Sequence, residues 1–246
     1  MDILICENYE EMSFLASNLI SQEIVKNPDL TLGLATGGTP VGLYENLIKK
    51  YRNGDIDFTN VKAFNLDEYL GLDKSNKQSY HHFMRSNLFD HINIKDENTY
   101  IPNGTTTNTD LECSNYDNLI SKNGIDVQIL GIGENAHIAF NEPSDTFKNG
   151  TSVVNLTEST IQANARFFDS IEDVPTKAIS MGVGSIFKAK KIVLLASGKN
   201  KAQAIHDTVF GDIDPKKPSS ILKIHPDVVL VLDKESASLI SDKIKK

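Results

Sequence analysis

Short apolar, β-branched runs alternate along this chain with amphipathic, helix-like stretches, and this alternation limits the possible folds more than any other feature. It is typical of parallel strands joined by crossover helices. Two runs, residues 127–132 and 192–196, are almost continuously apolar, as expected for strands buried on both faces. The sequence therefore predicts an α/β fold, a mostly parallel open sheet flanked by helices in a modified Rossmann-like arrangement.

The predicted elements follow one another without a linker, an internal repeat or a low-complexity segment. We therefore expect a single domain over residues 1–246. The predicted strands are residues 3–6, 30–34, 61–66, 127–131, 191–196 and 228–232. The predicted helices are residues 8–25, 40–51, 79–90, 110–121, 176–189 and 199–209.

Charge and composition exclude several classes of protein. The 33 acidic residues outnumber the 25 basic ones, for a net charge of −8, which argues against a nucleic-acid partner. No apolar run reaches the length of a membrane span, and the first residues lack the features of a signal peptide. The two cysteines offer neither a disulfide framework nor a zinc site. We expect a cytoplasmic globular protein with no membrane partner.

Glycines cluster where predicted strands end, as at positions 37 and 38 and again at 131 and 133. In open α/β sheets, ligands bind at the carboxyl ends of the strands, and glycine lets a backbone approach a ligand closely. These glycines therefore predict the rim of a ligand site.

The segment 32–40 could bind an anion. A strand enters the turn at Gly37 and Gly38, after which Thr39 is predicted to cap a helix whose first residue is Pro40. A helix start of this kind presents free N–H groups to a phosphate. The segment has no lysine, so it is not a nucleoside-triphosphate P-loop, and a plain capped helix after a turn remains an alternative.

Paired acids, Asp67 and Glu68, follow another predicted strand. Such a pair could hold a metal, cap a helix or supply a base. Metal binding is the weakest option because no His or Cys ligand set is near, and an acidic helix start is the plain alternative. The adjacent His81 and His82 point about 100° apart on a helix and cannot share a metal, so we interpret them as structural or surface residues.

The segment 131–143 is the most informative. Its glycines fit the dinucleotide fingerprint G-x-G-x-x-A only weakly, because Pro143 follows too soon for a continuing helix. A single histidine, His137, lies between Asn135 and Glu142. A lone histidine is more often structural than catalytic, but an amide and a carboxylate beside it could fix its tautomer and tune its basicity.

Two cations later in the chain, Arg166 and Lys201, are candidates for binding a phosphate. Either could equally be a solvated surface charge.

Together these segments resemble the glucosamine-6-phosphate deaminase family, the cytosolic isomerase-deaminases of amino-sugar catabolism. The resemblance covers nearly the whole chain and preserves the order of the segments. Its most specific parts are residues 65–69, Asn-Leu-Asp-Glu-Tyr, and residues 137–143, His-Ile-Ala-Phe-Asn-Glu-Pro.

The resemblance implies conversion of glucosamine 6-phosphate and water to fructose 6-phosphate and ammonia. Asp67 would be the base that moves a proton between C2 and C1 through an enolamine. His137 would assist opening of the pyranose ring, with Asn135 and Glu142 orienting it. The resemblance implies no metal and no organic cofactor.

The phosphate of the substrate would be bound, by the same resemblance, by backbone donors of Gly37, Gly38 and Thr39, with support from Arg166 and Lys201. The partner is then a small-molecule sugar phosphate. The oligomeric state is left open, with a monomer as one option.

Two departures from the family bear on the His137 loop. Some members have aspartate where this chain has Asn135, which leaves Glu142 as the only carboxylate expected beside His137. Relatives usually carry glycine where this chain has Ala136, so a positive φ at that position would be strained.

Alternative functions come from two classes. Within enzymes, the related 6-phosphogluconolactonases share the fold, but lactone hydrolysis needs no proton transfer at C2. A sugar-phosphate-sensing regulator would need a DNA-binding module, for which we find no helix-turn-helix segment. A nicotinamide-dependent dehydrogenase is disfavoured by the weak fingerprint at Gly133.

Overall fold

The computed structural model describes residues 1–165, 168 and 170–244, and its elements follow the alternation seen in the sequence. The strands are β1 (Asp2–Cys6), β2 (Thr31–Leu34), β3 (Lys62–Asn65), β4 (Asp67–Tyr69), β5 (Thr99–Tyr100), β6 (Val127–Leu130), β7 (Ser152–Asn155), β8 (Lys177–Ser180), β9 (Lys191–Ala196) and β10 (Val228–Asp233). The helices are α1 (Tyr9–Lys26), α2 (Val41–Arg52), α3 (Tyr80–Asn87), α4 (Thr109–Asn123), α5 (Glu158–Asn164), α6 (Val183–Phe187), α7 (Ala202–Phe210) and α8 (Ser241–Ile244).

Over the described ranges, seven strands form one sheet in the order β1-β10-β9-β6-β2-β3-β5, and every neighbouring pair is parallel. From β2 the chain moves outward through β3 to β5, whereas from β6 it moves the other way through β9 to β10. The strand order therefore reverses between β2 and β6. Ligands of open α/β sheets bind at such a reversal, beyond the carboxyl ends of the strands. The predicted fold class is confirmed.

A second, antiparallel sheet of β4, β8 and β7 meets the first sheet at Leu66. The Leu66 N–H donates to Leu34 O at 3.1 Å in the parallel sheet, while its carbonyl accepts from Met181 N at 2.8 Å beside the antiparallel one. Asp67 follows directly and pairs with Ser180. The junction thus places Asp67 at the carboxyl edge of the parallel sheet.

The predicted helix 176–189 is wrong in its first half, because residues 177–180 form β8 and only Val183–Phe187 are helical. Pairing with β4 on one side and β7 on the other overrides the local pattern. Strands β4, β5 and β7 were not predicted either, because they too form through pairing with distant segments, which a local sequence pattern does not reveal. The helix predicted over 79–90 ends at Asn87 and is followed by a 3₁₀ turn, Phe89–His91.

The core lies on both faces of the parallel sheet. All residues of β2, β6 and β10 are buried. Helix α1 covers one face with a buried stripe of Met12, Ala16 and Ile20, whose spacing of four matches the helical repeat. No helix in the described ranges combines the length and apolarity needed to cross a membrane. The single domain over residues 1–246 stays a prediction.

Candidate active site

A cavity of about 390 Å³ opens where the strand order reverses, beyond the ends of β2 and β6. It brings together most of the residues that the sequence predicted. The predicted residues lining it are Gly37, Gly38, Thr39, Asp67, Asn135, His137 and Lys201. Glu142 does not line this cavity but lies next to His137, which does. Arg166 lies outside the described residues.

The loop after β2 presents backbone donors to this cavity. Gly37 has φ +88°, which only glycine adopts readily, and the N–H groups of Gly37, Gly38 and Thr39 donate to no atom of the described chain. The expected cap is wrong, however: Pro40 is the cap residue, α2 begins at Val41, and no side chain caps it through the usual bond. Thr39 lines the cavity, and its backbone N–H has no acceptor within the described chain.

Tyr9, a residue that the sequence did not indicate, holds this loop in place. Its hydroxyl donates to Gly38 O at 3.1 Å and accepts from Gly42 N at 2.8 Å. Tyr9 begins α1, so the first helix braces the turn at the start of the second. No local pattern could have indicated this residue, because the bond joins positions 33 apart.

Asp67 lies at the inner wall of the cavity, and its side chain is nearly inaccessible to solvent, at 6% exposure. Burial, and secondarily the neighbouring charge of Glu68, raises the pKa of Asp67 to about 8. Such a carboxyl group takes up and returns a proton near neutral pH, which is what a general base requires.

Glu68 has a different task from its neighbour. Its carboxylate accepts backbone N–H groups from Tyr69, Tyr80 and His81, at 2.8, 2.9 and 2.9 Å. The capping option considered for this acid pair therefore applies to Glu68, at the start of α3. Of the paired acids, only Asp67 lines the cavity.

His137 and Glu142 form the second ionisable group of the site. His137 Nδ1 lies 3.3 Å from Glu142 Oε2, and Asn135 Nδ2 donates to the same oxygen at 2.8 Å. Asn135 Oδ1 accepts the backbone N–H of His137 at 3.2 Å. Asn135 therefore orients His137 through the backbone and through Glu142 rather than by touching the ring.

The charge on Glu142 is strongly favoured. Burial alone would raise its pKa, but contacts with His137, Thr160 and Asn135 more than reverse this and hold the pKa at about 2. At the start of α5, Thr160 donates its hydroxyl to Glu142 Oε1, and Thr157 Oγ1 lies 3.3 Å from the same oxygen. The sequence did not indicate either threonine.

The loop that carries His137 is strained. Ala136 has φ +66° and Ala139 has φ +51°, the left-handed region that disfavours every residue with a Cβ. The strain expected at Ala136 is confirmed. At Gly133, by contrast, any Cβ would overlap the Cε1, Nδ1 and Nε2 atoms of the His137 ring. The glycine is what allows the ring to lie against the backbone.

Ala136→Gly is expected to stabilise the protein by roughly 0.5–1 kcal/mol, because it removes a left-handed alanine costing roughly 1–2 kcal/mol and adds only the chain entropy of glycine. Urea denaturation followed by circular dichroism measures the change. Ala16→Gly in the middle of α1 is the control and should destabilise by about 1 kcal/mol or more. A loss of stability in both variants would contradict the assignment of strain.

Lys201 also lines the cavity, at the end of a 3₁₀ turn that leads into α7. Next to it, Asn200 Nδ2 donates to Glu134 Oε1 at 2.7 Å and so ties this turn to the His137 loop. In the described part of the chain, no group of three or more His, Cys, Asp or Glu side chains could hold a metal ion. His82, one of the adjacent histidines, makes a hydrogen bond with the Ser86 hydroxyl at 3.2 Å.

Comparison with known proteins decides the family. The model of the family described as glucosamine-6-phosphate isomerases/6-phosphogluconolactonase matches residues 9–230. The chain belongs to this family. A member from Clostridium botulinum (strain Eklund 17B / Type B), named glucosamine-6-phosphate deaminase, is 56% identical over 99% of this chain and 98% of its own. A protein of the same name from Thermoanaerobacter pseudethanolicus is also 56% identical, over 98% and 96% of the two chains.

Solved structures of this family agree in fold. A monomeric glucosamine-6-phosphate deaminase superposes with a TM-score of 0.95 at 45% identity, covering 97% of this chain and 100% of its own. The 6-phosphogluconolactonase from Trypanosoma cruzi reaches 0.79 at 18% identity, over 98% and 97% of the two chains. At that identity the likeness to the lactonase shows the fold alone.

Proposed function

We propose that this chain is an isomerising deaminase that converts glucosamine 6-phosphate and water to fructose 6-phosphate and ammonia in amino-sugar catabolism. The proposal rests on the contents of one cavity. It holds a carboxyl group whose pKa is raised to about 8, a histidine with a carboxylate 3.3 Å from its ring, and a loop with backbone N–H donors that bind no described residue. The proteins named glucosamine-6-phosphate deaminase, at 50–56% identity over nearly the full chain, support it.

His137 acts first in this proposal. It moves a proton from the anomeric hydroxyl to the ring oxygen, which opens the pyranose and leaves an aldehyde at C1. The imidazole carries a positive charge while it holds that proton. Glu142, 3.3 Å from Nδ1, stabilises this charge and holds the ring in position.

Asp67 performs the isomerisation. The carboxylate takes the proton from C2, and protonation of the C1 oxygen gives an enolamine. Asp67 then returns the proton to C1, which leaves an iminium at C2. Water adds there and ammonia leaves, so the product is the 2-ketose. One residue can serve both proton transfers because its burial keeps the protonated and ionised forms close in free energy near neutral pH.

The phosphate is bound by the loop that follows β2. Gly37, Gly38 and Thr39 offer backbone donors, and Lys201, which lines the same cavity, supplies a cation. Arg166, which lies outside the described residues, is proposed as a second cation on the strength of its match to the family. Together these groups would make one rim attractive to a dianion in a protein whose net charge is −8.

The remaining features of the proposal concern partners and location. The substrate is a small sugar phosphate, and no cofactor, nucleic acid or membrane takes part. We place the enzyme in the cytoplasm. We propose that the protein is a monomer, and the monomeric deaminase of similar structure supports this.

The test of the function is direct. Purified protein is mixed with glucosamine 6-phosphate, and ammonia and fructose 6-phosphate are quantified together; we expect equal amounts of the two. 6-Phosphogluconolactone is the counter-substrate. Hydrolysis of the lactone without release of ammonia from the amino sugar would overturn the proposal.

Tyr9→Phe is expected to raise KM for glucosamine 6-phosphate about three- to tenfold with little change in kcat. The lost hydroxyl leaves Gly42 N without its acceptor and frees the loop that offers donors to the phosphate, and one hydrogen bond of this kind contributes roughly 0.5–1.5 kcal/mol. Steady-state kinetics measure the effect. Tyr51→Phe, at the far end of α2, is the matched control; equal changes in both variants would dissociate Tyr9 from phosphate binding.

A further inference from the structure

The two oxygens of Glu142 contact different parts of the chain. Oε2 faces the histidine loop, where Asn135 Nδ2 donates to it and His137 Nδ1 lies 3.3 Å away. Oε1 faces the start of α5, where it accepts the hydroxyl of Thr160 and lies 3.3 Å from Thr157 Oγ1. The last torsion of a glutamate side chain is broad, so contacts on both oxygens are needed to fix the plane of the carboxylate.

Thr160 is the better placed of the two threonines. Its side chain is buried, and the residue lines the cavity as well as contacting Glu142. The Thr157 hydroxyl donates to Thr160 Oγ1 at 3.0 Å, which directs the proton of Thr160 toward the carboxylate. Thr157 also caps α5, because its side chain accepts the N–H of Thr160 at 3.3 Å. The helix start therefore sets the direction of the Thr160 hydroxyl.

We infer that Thr160 is a positioning residue for His137: its hydroxyl locks the Glu142 carboxylate so that Oε2 faces His137 Nδ1. The inference rests on the proposed function, since it assigns Thr160 to the ring-opening step. Without the hydroxyl, the longer contact with Thr157 is the one that remains at Oε1 among the described residues, and the carboxylate can rotate away from the imidazole. Loss of that hydrogen bond also weakens the preference for the ionised form of Glu142.

The test compares Thr160→Val, which removes the hydroxyl at nearly constant volume, with Thr160→Ser, which keeps it. The substrates are glucosamine 6-phosphate and an analogue that lacks the C4 and C5 hydroxyls and so can close neither a furanose nor a pyranose ring. T160V is expected to lower kcat about tenfold on the cyclic substrate and less than about twofold on the analogue, with KM little changed. T160S should stay within about twofold of the wild type on both.

A second readout needs no turnover. The titration of the Glu142 carboxyl group, followed by carbon NMR, should move to higher pH in T160V and stay in place in T160S. Thr208→Val is the matched control, because it removes another buried threonine hydroxyl, bonded to Ala204 O and Ser219, far along the chain from Glu142. It should lower stability without changing the ratio of rates on the two substrates. Should T160V fail to fold, Thr160→Ala removes the hydroxyl without an added methyl group.

Two results would overturn the inference alone. The first is that T160V and T160S both turn over the cyclic substrate at the wild-type rate. The second is that T160V loses equal activity on the cyclic and the open-chain substrate, which would mean a purely structural role. A wild-type protein that releases no ammonia from glucosamine 6-phosphate would instead overturn the proposed function, and the inference with it.

Discussion

Asp67→Asn is expected to lower kcat for glucosamine 6-phosphate about 10³- to 10⁴-fold, the upper part of the range for loss of a general base. The amide is nearly isosteric with the carboxyl group but cannot accept the C2 proton. Because Asp67 is not proposed to bind the phosphate, KM should change by less than about threefold. Steady-state rates of ammonia release measure both constants, and exchange of the C2 hydrogen with deuterated water reports the proton transfer directly.

The matched control for this change is Asp73→Asn. Asp73 is an exposed carboxylate six positions further along, bonded only to Ser75 among the residues for which contacts are described. The same exchange of a carboxyl group for an amide there should leave turnover unchanged. Retention of more than about a tenth of wild-type kcat by D67N would remove Asp67 from the role of base.

The Asp67→Asn variant should also differ from the wild type in stability, by an amount that depends on pH. The native pKa of Asp67 is about 8, far above the value near 4 in an unfolded chain. Between these values the unfolded chain has released the proton that the native protein retains. The carboxyl group therefore lowers the free energy of unfolding progressively as pH rises from about 4 to about 8, and the penalty is complete above that window. D67N lacks this penalty.

Urea denaturation of D67N and wild type at about pH 5 and about pH 8 tests this sign. The stability advantage of the variant should be larger at the higher pH. An advantage that stays constant across this window would mean that the carboxyl group is already ionised in the folded protein at the lower pH.

Glu142→Gln is expected to lower kcat about 10²-fold on glucosamine 6-phosphate, with a smaller loss on the analogue that cannot close its ring. Glutamine preserves the shape of the side chain and can still orient the imidazole, but it contributes no charge to stabilise the protonated ring. Glu142 has its pKa held at about 2, so the wild-type charge is present throughout the working range of pH. The ratio of the two rates isolates ring opening.

We expect the loss at Glu142 to be larger here than in family members with aspartate at the position of Asn135, because the Asn135 amide contributes no second negative charge. The double variant Asn135→Asp with Glu142→Gln should recover part of the lost rate, because it places a carboxylate next to the original one, 2.8 Å away in the wild-type contact. An equal loss of kcat by E142Q on both substrates would contradict the assignment of Asn135 and Glu142 to ring opening.

Local sequence was enough to predict the centre of the molecule. The buried runs that became β2, β6, β9 and β10 are apolar enough to be recognised by themselves. The glycines at strand ends then located the cavity, because topology brings the carboxyl ends of parallel strands to one edge.

Features that depend on distant segments were not predictable. Strand β8 reads as part of a helix until it pairs with β4, and Tyr9 contacts Gly42 only because α1 packs beside α2. The same holds for Thr160, whose partner Glu142 lies 18 residues away. Thr39 failed as a cap for the opposite reason: a strong local signal lost to a tertiary contact, in which the Tyr9 hydroxyl takes the Gly42 N–H.

The position of β1 has a consequence for the order in which the protein matures on the ribosome. It lies at the edge of the parallel sheet, and its hydrogen-bonded neighbour there is β10, which is translated more than 200 residues later. At roughly 5–20 residues per second, that interval is on the order of ten to forty seconds. The strands that shape the cavity can dock while β1 still waits as an unpaired segment, so closing this edge is a late event of biosynthesis.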